Sequence, residues 1–111
     1  MNPKNDLMTN ETAKVLKALS HPTRLWMVEN LAKKELCVCV FNEQLDMDFS
    51  TISKHLTVLK EAGIVTFEKR GKQVFYRLKM TCVLNFIACI KGTIKQEFVN
   101  KLEQIEENEV A

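Results

Sequence analysis

Asp48-Phe49-Ser50-Thr51-Ile52-Ser53-Lys54-His55-Leu56-Thr57-Val58-Leu59-Lys60-Glu61-Ala62-Gly63 reads as a helix with two unlike faces. With Ile52 set at zero and about 100° per residue, Leu56 and Leu59 fall within about 40° of it, while Ser50, Lys54 and Thr57 fall within about 40° of the opposite pole. One face belongs to a core and the other is polar and basic. Asp48 or Ser50 can cap the start by accepting from free backbone N–H groups, and Gly63 can take the left-handed conformation that ends a helix. The helix is therefore predicted over about Ser50 to Ala62.

Immediately downstream the period drops from that of a helix to two. Val65, Phe67, Val74, Tyr76 and Leu78 alternate with Thr66, Glu68, Phe75, Arg77 and Lys79 around Lys69-Arg70-Gly71-Lys72, the pattern of a β-hairpin with Gly71 in its turn and cations at its tip. Upstream, Thr12, Val15, Leu16 and Leu19 mark a first helix ending near Ser20. Pro22 suits the first turn of a second, whose apolar face (Leu25, Trp26, Val28, Leu31, Ala32) runs to Lys33. Phe41 to Leu45 allows a short third helix after the thiol-bearing stretch Leu36 to Val40. From about 81 to 107, Leu84, Ile87, Ile90, Ile94, Phe98, Leu102 and Ile105 form one long stripe. A helix of that length presents more apolar face than a small body can cover, so pairing in a homodimer is expected, with the acidic tail Glu103 to Glu109 solvated and frayed.

The 111 residues suit one domain, 1–111, with a flexible start over 1–8 and a closing dimerisation helix. With 46% hydrophobic and 27% charged residues, the chain can bury a core and is not disordered as a whole. No apolar run reaches the roughly 20 residues that cross a bilayer, and Met1-Asn2-Pro3-Lys4-Asn5-Asp6 lacks a hydrophobic signal, so no membrane partner and a cytoplasmic location are expected. The net charge of +2 says little by itself. Between Ser50 and Lys79, however, Lys54, Lys60, Lys69, Arg70, Lys72, Arg77 and Lys79 oppose only Glu61 and Glu68. Such a basic segment on a near-neutral background is the footprint expected where phosphates dock.

Four helices, a basic hairpin and a closing helix make a mainly α fold with a small β-hairpin (α+β), a winged helix-turn-helix. A helix fits the major groove. Ser50, Thr51, Ser53, Lys54 and Thr57 offer donors and acceptors of suitable length, Lys60 adds charge, and Lys69, Arg70 and Lys72 can reach the neighbouring backbone of double-stranded operator DNA. His55 lies toward the apolar side and is expected to cap or to meet phosphate, and His21, before Pro22, to cap a helix. The same surface could instead bind a protein, in which case it would show none of the steep salt dependence of phosphate contacts.

Ala18-Leu19-Ser20-His21-Pro22-Thr23-Arg24-Leu25, Glu35-Leu36-Cys37-Val38-Cys39, Ser50-Thr51-Ile52-Ser53-Lys54-His55-Leu56, Leu59-Lys60-Glu61-Ala62-Gly63-Ile64-Val65 and Gly71-Lys72-Gln73-Val74-Phe75-Tyr76-Arg77-Leu78 together resemble the ArsR/SmtB family of metalloregulatory repressors. The likeness covers about residues 12 to 95. It implies a dimeric repressor that occupies an operator and leaves it when an inducer binds. One departure stands at the reading helix: the family often carries Gln before the Ser-Thr pair, and this chain has Phe49.

Cys37-Val38-Cys39 resembles the family's soft-metal motif. In a chain without an export signal the four cysteines are expected as thiols rather than structural disulfides. Thiolate prefers arsenic(III), antimony(III), cadmium, lead or zinc to hard cations, and no organic cofactor is implied. A regular helix would hold the two thiols about 200° apart, so binding is expected to distort its first turn. The family's arsenic motif continues with a cysteine three residues later, where this chain has Asn42; a third sulfur from Cys82 or Cys89, or a small exogenous ligand, would complete the set. Cys82 and Cys89 are seven apart on the closing helix, roughly 10.5 Å along its axis, and face one way. The resemblance also implies that zinc sensors draw Asp and His from the last helix, and no His follows His55 here. The alternative is a redox or persulfide sensor of the same fold, with a bridge from a thiol near the third helix to one on the last. Catalysis is not expected: there is no Cys-x-x-Cys on a βαβ pattern and no glycine-rich phosphate loop.

Overall fold

The computed structural model describes residues 5–110, of which 109 and 110 by their backbone alone. Two compact units divide the chain, residues 1–81 and 82–111. The expected flexible start falls partly on residues 1–4, outside the described residues. Leu7 and Met8 already belong to a helix.

In the first unit the order is α1 (Leu7–Leu19), α2 (Pro22–Leu31), β1 (Leu36–Cys37), α3 (Val38–Gln44), α4 (Phe49–Glu61), β2 (Val65–Arg70) and β3 (Gln73–Leu78). Asp6 starts α1 by accepting from the Met8 N–H at 3.0 Å and from the Thr9 hydroxyl at 2.6 Å. His21 starts α2: its Nδ1 accepts from the Thr23 N–H at 3.1 Å, and Pro22 follows at the first helical position, where no N–H is missed. This is the capping role expected of His21. Helix α4 begins one residue earlier than expected, at Phe49, with Asp48 at its cap position and the Ser50 hydroxyl donating to the Asp48 carboxylate at 3.2 Å. It ends in a Schellman turn: Gly63 at φ 80°, with its N–H on the Lys60 carbonyl and the Ile64 N–H on that of Leu59.

The hairpin register pairs Val65 with Leu78, Phe67 with Tyr76 and Lys69 with Val74, keeping the expected apolar set on one face. Gly71 at φ 63° is the first of the two loop residues, and Lys72 does not share its positive φ, which is the type II′ arrangement that suits a twisted hairpin. An additional strand departs from the sequence reading. Residues Leu36 and Cys37 pair antiparallel with Tyr76 and Phe75, giving a three-stranded sheet in the order β1-β3-β2. The third helix accordingly starts at Val38 rather than Phe41.

The core of this unit collects one face of each element: Met27 and Val28 from α2, Phe41 from α3, Ile52, Leu56 and Leu59 from α4, and Ile64 and Val65 at the start of the hairpin, all essentially without solvent contact. Trp26 meets Phe41 edge to face at 5.9 Å. A four-residue turn, 45–48, joins α3 to α4.

The second unit is one helix, α5 (Cys82–Val110). The tail expected to fray is helical through Val110, with Glu103, Glu106 and Glu107 exposed. Its apolar stripe stands open from Ile90 onward, with Ile94, Phe98, Leu102 and Ile105 each about half or more exposed. No helix of the described residues is long and apolar enough to cross a membrane.

Candidate functional site

The polar side of α4 carries the residues singled out for DNA contact, and the fold sorts them by what they already touch. Ser50, Lys54 and Thr57 are exposed, and Thr51 and Ser53 half-buried. The Thr57 hydroxyl donates back to the Ser53 carbonyl at 2.8 Å, leaving its oxygen as an acceptor. Lys60 leans over the Phe67 ring, 4.9 Å from its centroid, and so braces α4 against β2.

Arg70 is occupied. Its guanidinium donates to the two Glu35 oxygens at 2.6 and 3.2 Å and to Glu68 at 2.9 Å, and sits 4.7 Å over the Phe75 ring. These donors hold the Glu35 carboxyl below the usual carboxylate range, and the two carboxylates in turn push the Arg70 pKa upward. Arg70 thereby ties the wing to the start of β1. Lys54, Lys69 and Lys72 enter no ion pair among the described residues, so the free charge of this face resides in them.

His55, expected to cap or to meet phosphate, is half-buried and partnered within the fold. Its Nδ1 receives the Arg24 Nη1 donor at 3.1 Å, and its ring lies 4.5 Å from that of His21. Burial, with His21 and Arg24 close by, lowers its pKa below the ordinary histidine value. Arg24 was not singled out in the sequence, yet it joins three helices: Nε donates to the Ala18 carbonyl at 2.6 Å and Nη2 reaches the Lys17 carbonyl at 3.5 Å. Its location three residues after His21, just inside α2, is the only sequence signal of that role.

The sulfurs of Cys37 and Cys39 converge. Cys37 ends β1 in extended backbone (φ −69°, ψ 146°), is buried, and occupies the cap position of α3, where its Sγ accepts from the Cys39 N–H at 3.2 Å. Cys39 stands exposed in the first turn, its Cα 5.1 Å away, and the two sulfurs are joined as a disulfide. Two expectations change here. No distortion of a helical turn is required, because pairing with Phe75 keeps Cys37 out of the helix. Nor are all four cysteines free thiols: Cys82 and Cys89, both exposed on α5, are.

Beside this pair an open cleft of ≈ 250 Å³ is lined by Cys37, Val38, Cys39 and Asn42, by Phe49 at the start of α4, and by Lys72, Gln73 and Val74 at the tip of the hairpin. The two elements expected to touch DNA thus share a wall with the two sulfurs. Reduced to thiolates, the two convergent sulfurs fit a soft ion by donor chemistry. Among the described residues, no three His, Cys, Asp or Glu side chains gather into a closed metal site.

Residues 21–66 match the family described as bacterial regulatory protein, arsR family. A biofilm growth-associated repressor of Xylella fastidiosa is 45% identical over 69 residues, 62% of this chain and 60% of that protein. An arsenic resistance transcriptional regulator of Pseudomonas putida is 37% identical over 81 residues, 72% of this chain and 63% of that protein. The crystal structure of the transcriptional repressor BigR from Xylella fastidiosa superimposes with a TM-score of 0.68 at 34% identity, covering 80-odd per cent of this chain (84%) and 96% of that one. The chain spans about 60% of the length of the curated relatives it matches.

Proposed function

This chain belongs to the ArsR family of bacterial regulatory proteins, and on that footing we propose that it is a DNA-binding transcriptional repressor released from its operator by arsenite or another thiophilic ion held by Cys37 and Cys39. The observation that carries this reading is the shared cleft: the two sulfurs open onto Phe49 at the start of α4 and Lys72 at the wing tip. A soft ion supplies a bond to each sulfur. Everything else is supplied by the chain.

Cys37 is anchored in the sheet through its pairing with Phe75, whereas Cys39 moves with α3. Fixing one sulfur against the other fixes α3 against β3, and through the 45–48 turn it biases the direction in which α4 leaves. If the ion-loaded form binds DNA less well, linkage makes DNA weaken ion binding by the same factor, commonly worth about 1–3 kcal/mol. The exposed stripe of α5 is the surface that would join two copies, so that two α4 helices address half-sites roughly 34 Å apart. Asn42 occupies the place of a third sulfur, and an external ligand would complete the set.

A second reading has its own observation. Cys37 and Cys39 are joined as a disulfide at the same cleft, so their reduced dithiol form is a pair that an oxidant or polysulfide could close where the ion would bind. The bridge lies within the pair, whereas the redox alternative expects one from a thiol near the third helix to one on the last. Fluorescence anisotropy of labelled operator DNA, titrated with arsenite, cadmium, zinc and a polysulfide on reduced protein, separates the two. Release by arsenite that disappears in Cys37→Ser and Cys39→Ser supports ion sensing. Release by polysulfide alone supports the redox reading, and unchanged arsenite release in both variants removes the pair as the sensor.

A further inference from the structure

Phe49 is the first residue of α4, and its side chain remains 62% exposed while Ile52, Leu56 and Leu59 on the same helix have no solvent contact. Its aromatic character is not explained by the core. Other exposed or half-exposed rings of this unit have partners: Phe67 carries Lys60 and Tyr76, and Phe75 carries Arg70. No ring or cation is stacked on Phe49 among the described residues. Nor does the local backbone ask for it, since the first helical position favours residues such as Pro, Asp or Glu.

Its position is the N-terminal end of α4, next in sequence to Ser50 of the polar face. On the helical wheel Phe49 lies about 60° from Ile52, on the flank that also carries Ser53 and Lys60, between the core and the polar pole. That flank faces the hairpin, as the stacking of Lys60 on Phe67 shows. The ring therefore lines the cleft between the start of α4 and the wing tip, as does Lys72, which enters no ion pair among the described residues. Recognition helices present their N-terminal residues to base edges, and the major-groove edge of thymine is the one that offers a methyl group to an apolar side chain.

We propose that Phe49 is a specificity-determining residue that reads the 5-methyl group of a thymine in the major groove. The proposal rests on the DNA-binding reading above and adds to it a base and an atom. The contact removes an exposed ring face and a methyl group from water together. It discriminates thymine from cytosine, which lacks the methyl, at a position where hydroxyl side chains alone would accept either. The ring shares its cleft with Cys37 and Cys39.

The test starts from duplexes that the reduced protein selects from a random-sequence pool. In the best of them each thymine is replaced in turn by deoxyuridine, which deletes the methyl and nothing else, and affinity is read by anisotropy. The native chain is expected to lose about fourfold at one thymine per half-site, the worth of one buried methyl. Phe49→Ala is expected to bind the thymine and deoxyuridine duplexes alike, and Phe49→Leu to retain part of the difference. Native affinity indifferent to every methyl, or a loss that persists undiminished in Phe49→Ala, overturns the contact while leaving DNA binding intact. Failure to select any duplex overturns the contact and the regulator reading together.

Discussion

Arg24 and His55, 31 residues apart in sequence, meet at 3.1 Å between Nη1 and Nδ1. The contact links the helix that follows His21 to the helix expected in the DNA groove, and the same guanidinium holds the last carbonyls of α1. It works only with a neutral imidazole, because a protonated Nδ1 cannot accept.

Acid should therefore loosen this junction. Burial, with His21 and Arg24 close by, lowers the folded-state pKa of His55 below its unfolded value. The unfolded chain then binds more protons as the pH falls below about 6.5, and stability drops across that window and levels off below the folded pKa. Above it, His55 contributes no slope. Urea unfolding at a series of pH values from 7.5 to about 5 should show this decline, and His55→Gln should flatten it. A native slope unchanged in His55→Gln would remove His55 as its source. The carboxylates lowered by hydrogen bonds, Asp6, Glu35 and Asp48, titrate at more acid pH and lie outside the window.

The free and the engaged cations of the wing should differ in salt response. Lys72→Ala removes an unpaired charge at the hairpin tip and should reduce the slope of log affinity against log salt by about one. Arg70→Met should leave that slope nearly unchanged, because Glu35 and Glu68 already neutralise the guanidinium. Equal slope changes for the two substitutions would mean that Arg70 leaves its carboxylates to meet phosphate.

Much of this could be read from local pattern. Ile52, Leu56 and Leu59 recur at helical spacing and are fully buried. Gly63 and Gly71 mark turns that need a positive φ, and both have one. What escaped was non-local or too short. A two-residue strand cannot show alternation, so β1 was invisible, and with it the extended backbone that brings Cys37 to Cys39. Glu35 and Arg70 are 35 residues apart, and nothing in either neighbourhood announces their ion pair. Phe49 fell at a helix boundary, where one residue decides whether a ring is in the turn or on the reading helix.

Glycines at 63 and 92 should respond to alanine with opposite signs. At Gly63 a Cβ would meet only Met80 Cε at 4.0 Å, so the cost is that of φ +80°, about 1–2 kcal/mol. Gly92 lies inside α5 with open space around its Cα, and Gly92→Ala should strengthen that helix by up to about 1 kcal/mol. Chemical denaturation of both variants checks the pair. A destabilising Gly92→Ala would show that the exposed stretch of α5 is covered closely by a second chain in solution.

Asn42 offers the most direct test of the sulfur site, because it lines the same cleft as Cys37 and Cys39 and sits three residues after Cys39 on α3. Three residues is nearly one helical turn, so Asn42→Cys places a third sulfur on the side of α3 that Cys39 already presents. A donor tethered in this way acts at a high effective concentration, and arsenite affinity of the reduced protein should rise by more than about tenfold. In Cys37→Ser the serine oxygen can still accept from the Cys39 N–H, so α3 keeps its cap and DNA binding persists while the arsenite response is lost. Combining Cys37→Ser with Asn42→Cys restores two sulfurs on one helix face but not the one anchored in the sheet. Ion binding should then return without release of DNA, measured by absorbance of the arsenic–thiolate bond alongside anisotropy. Release that returns together with binding would show that the strap from β1 to α3 is not what carries the signal to α4.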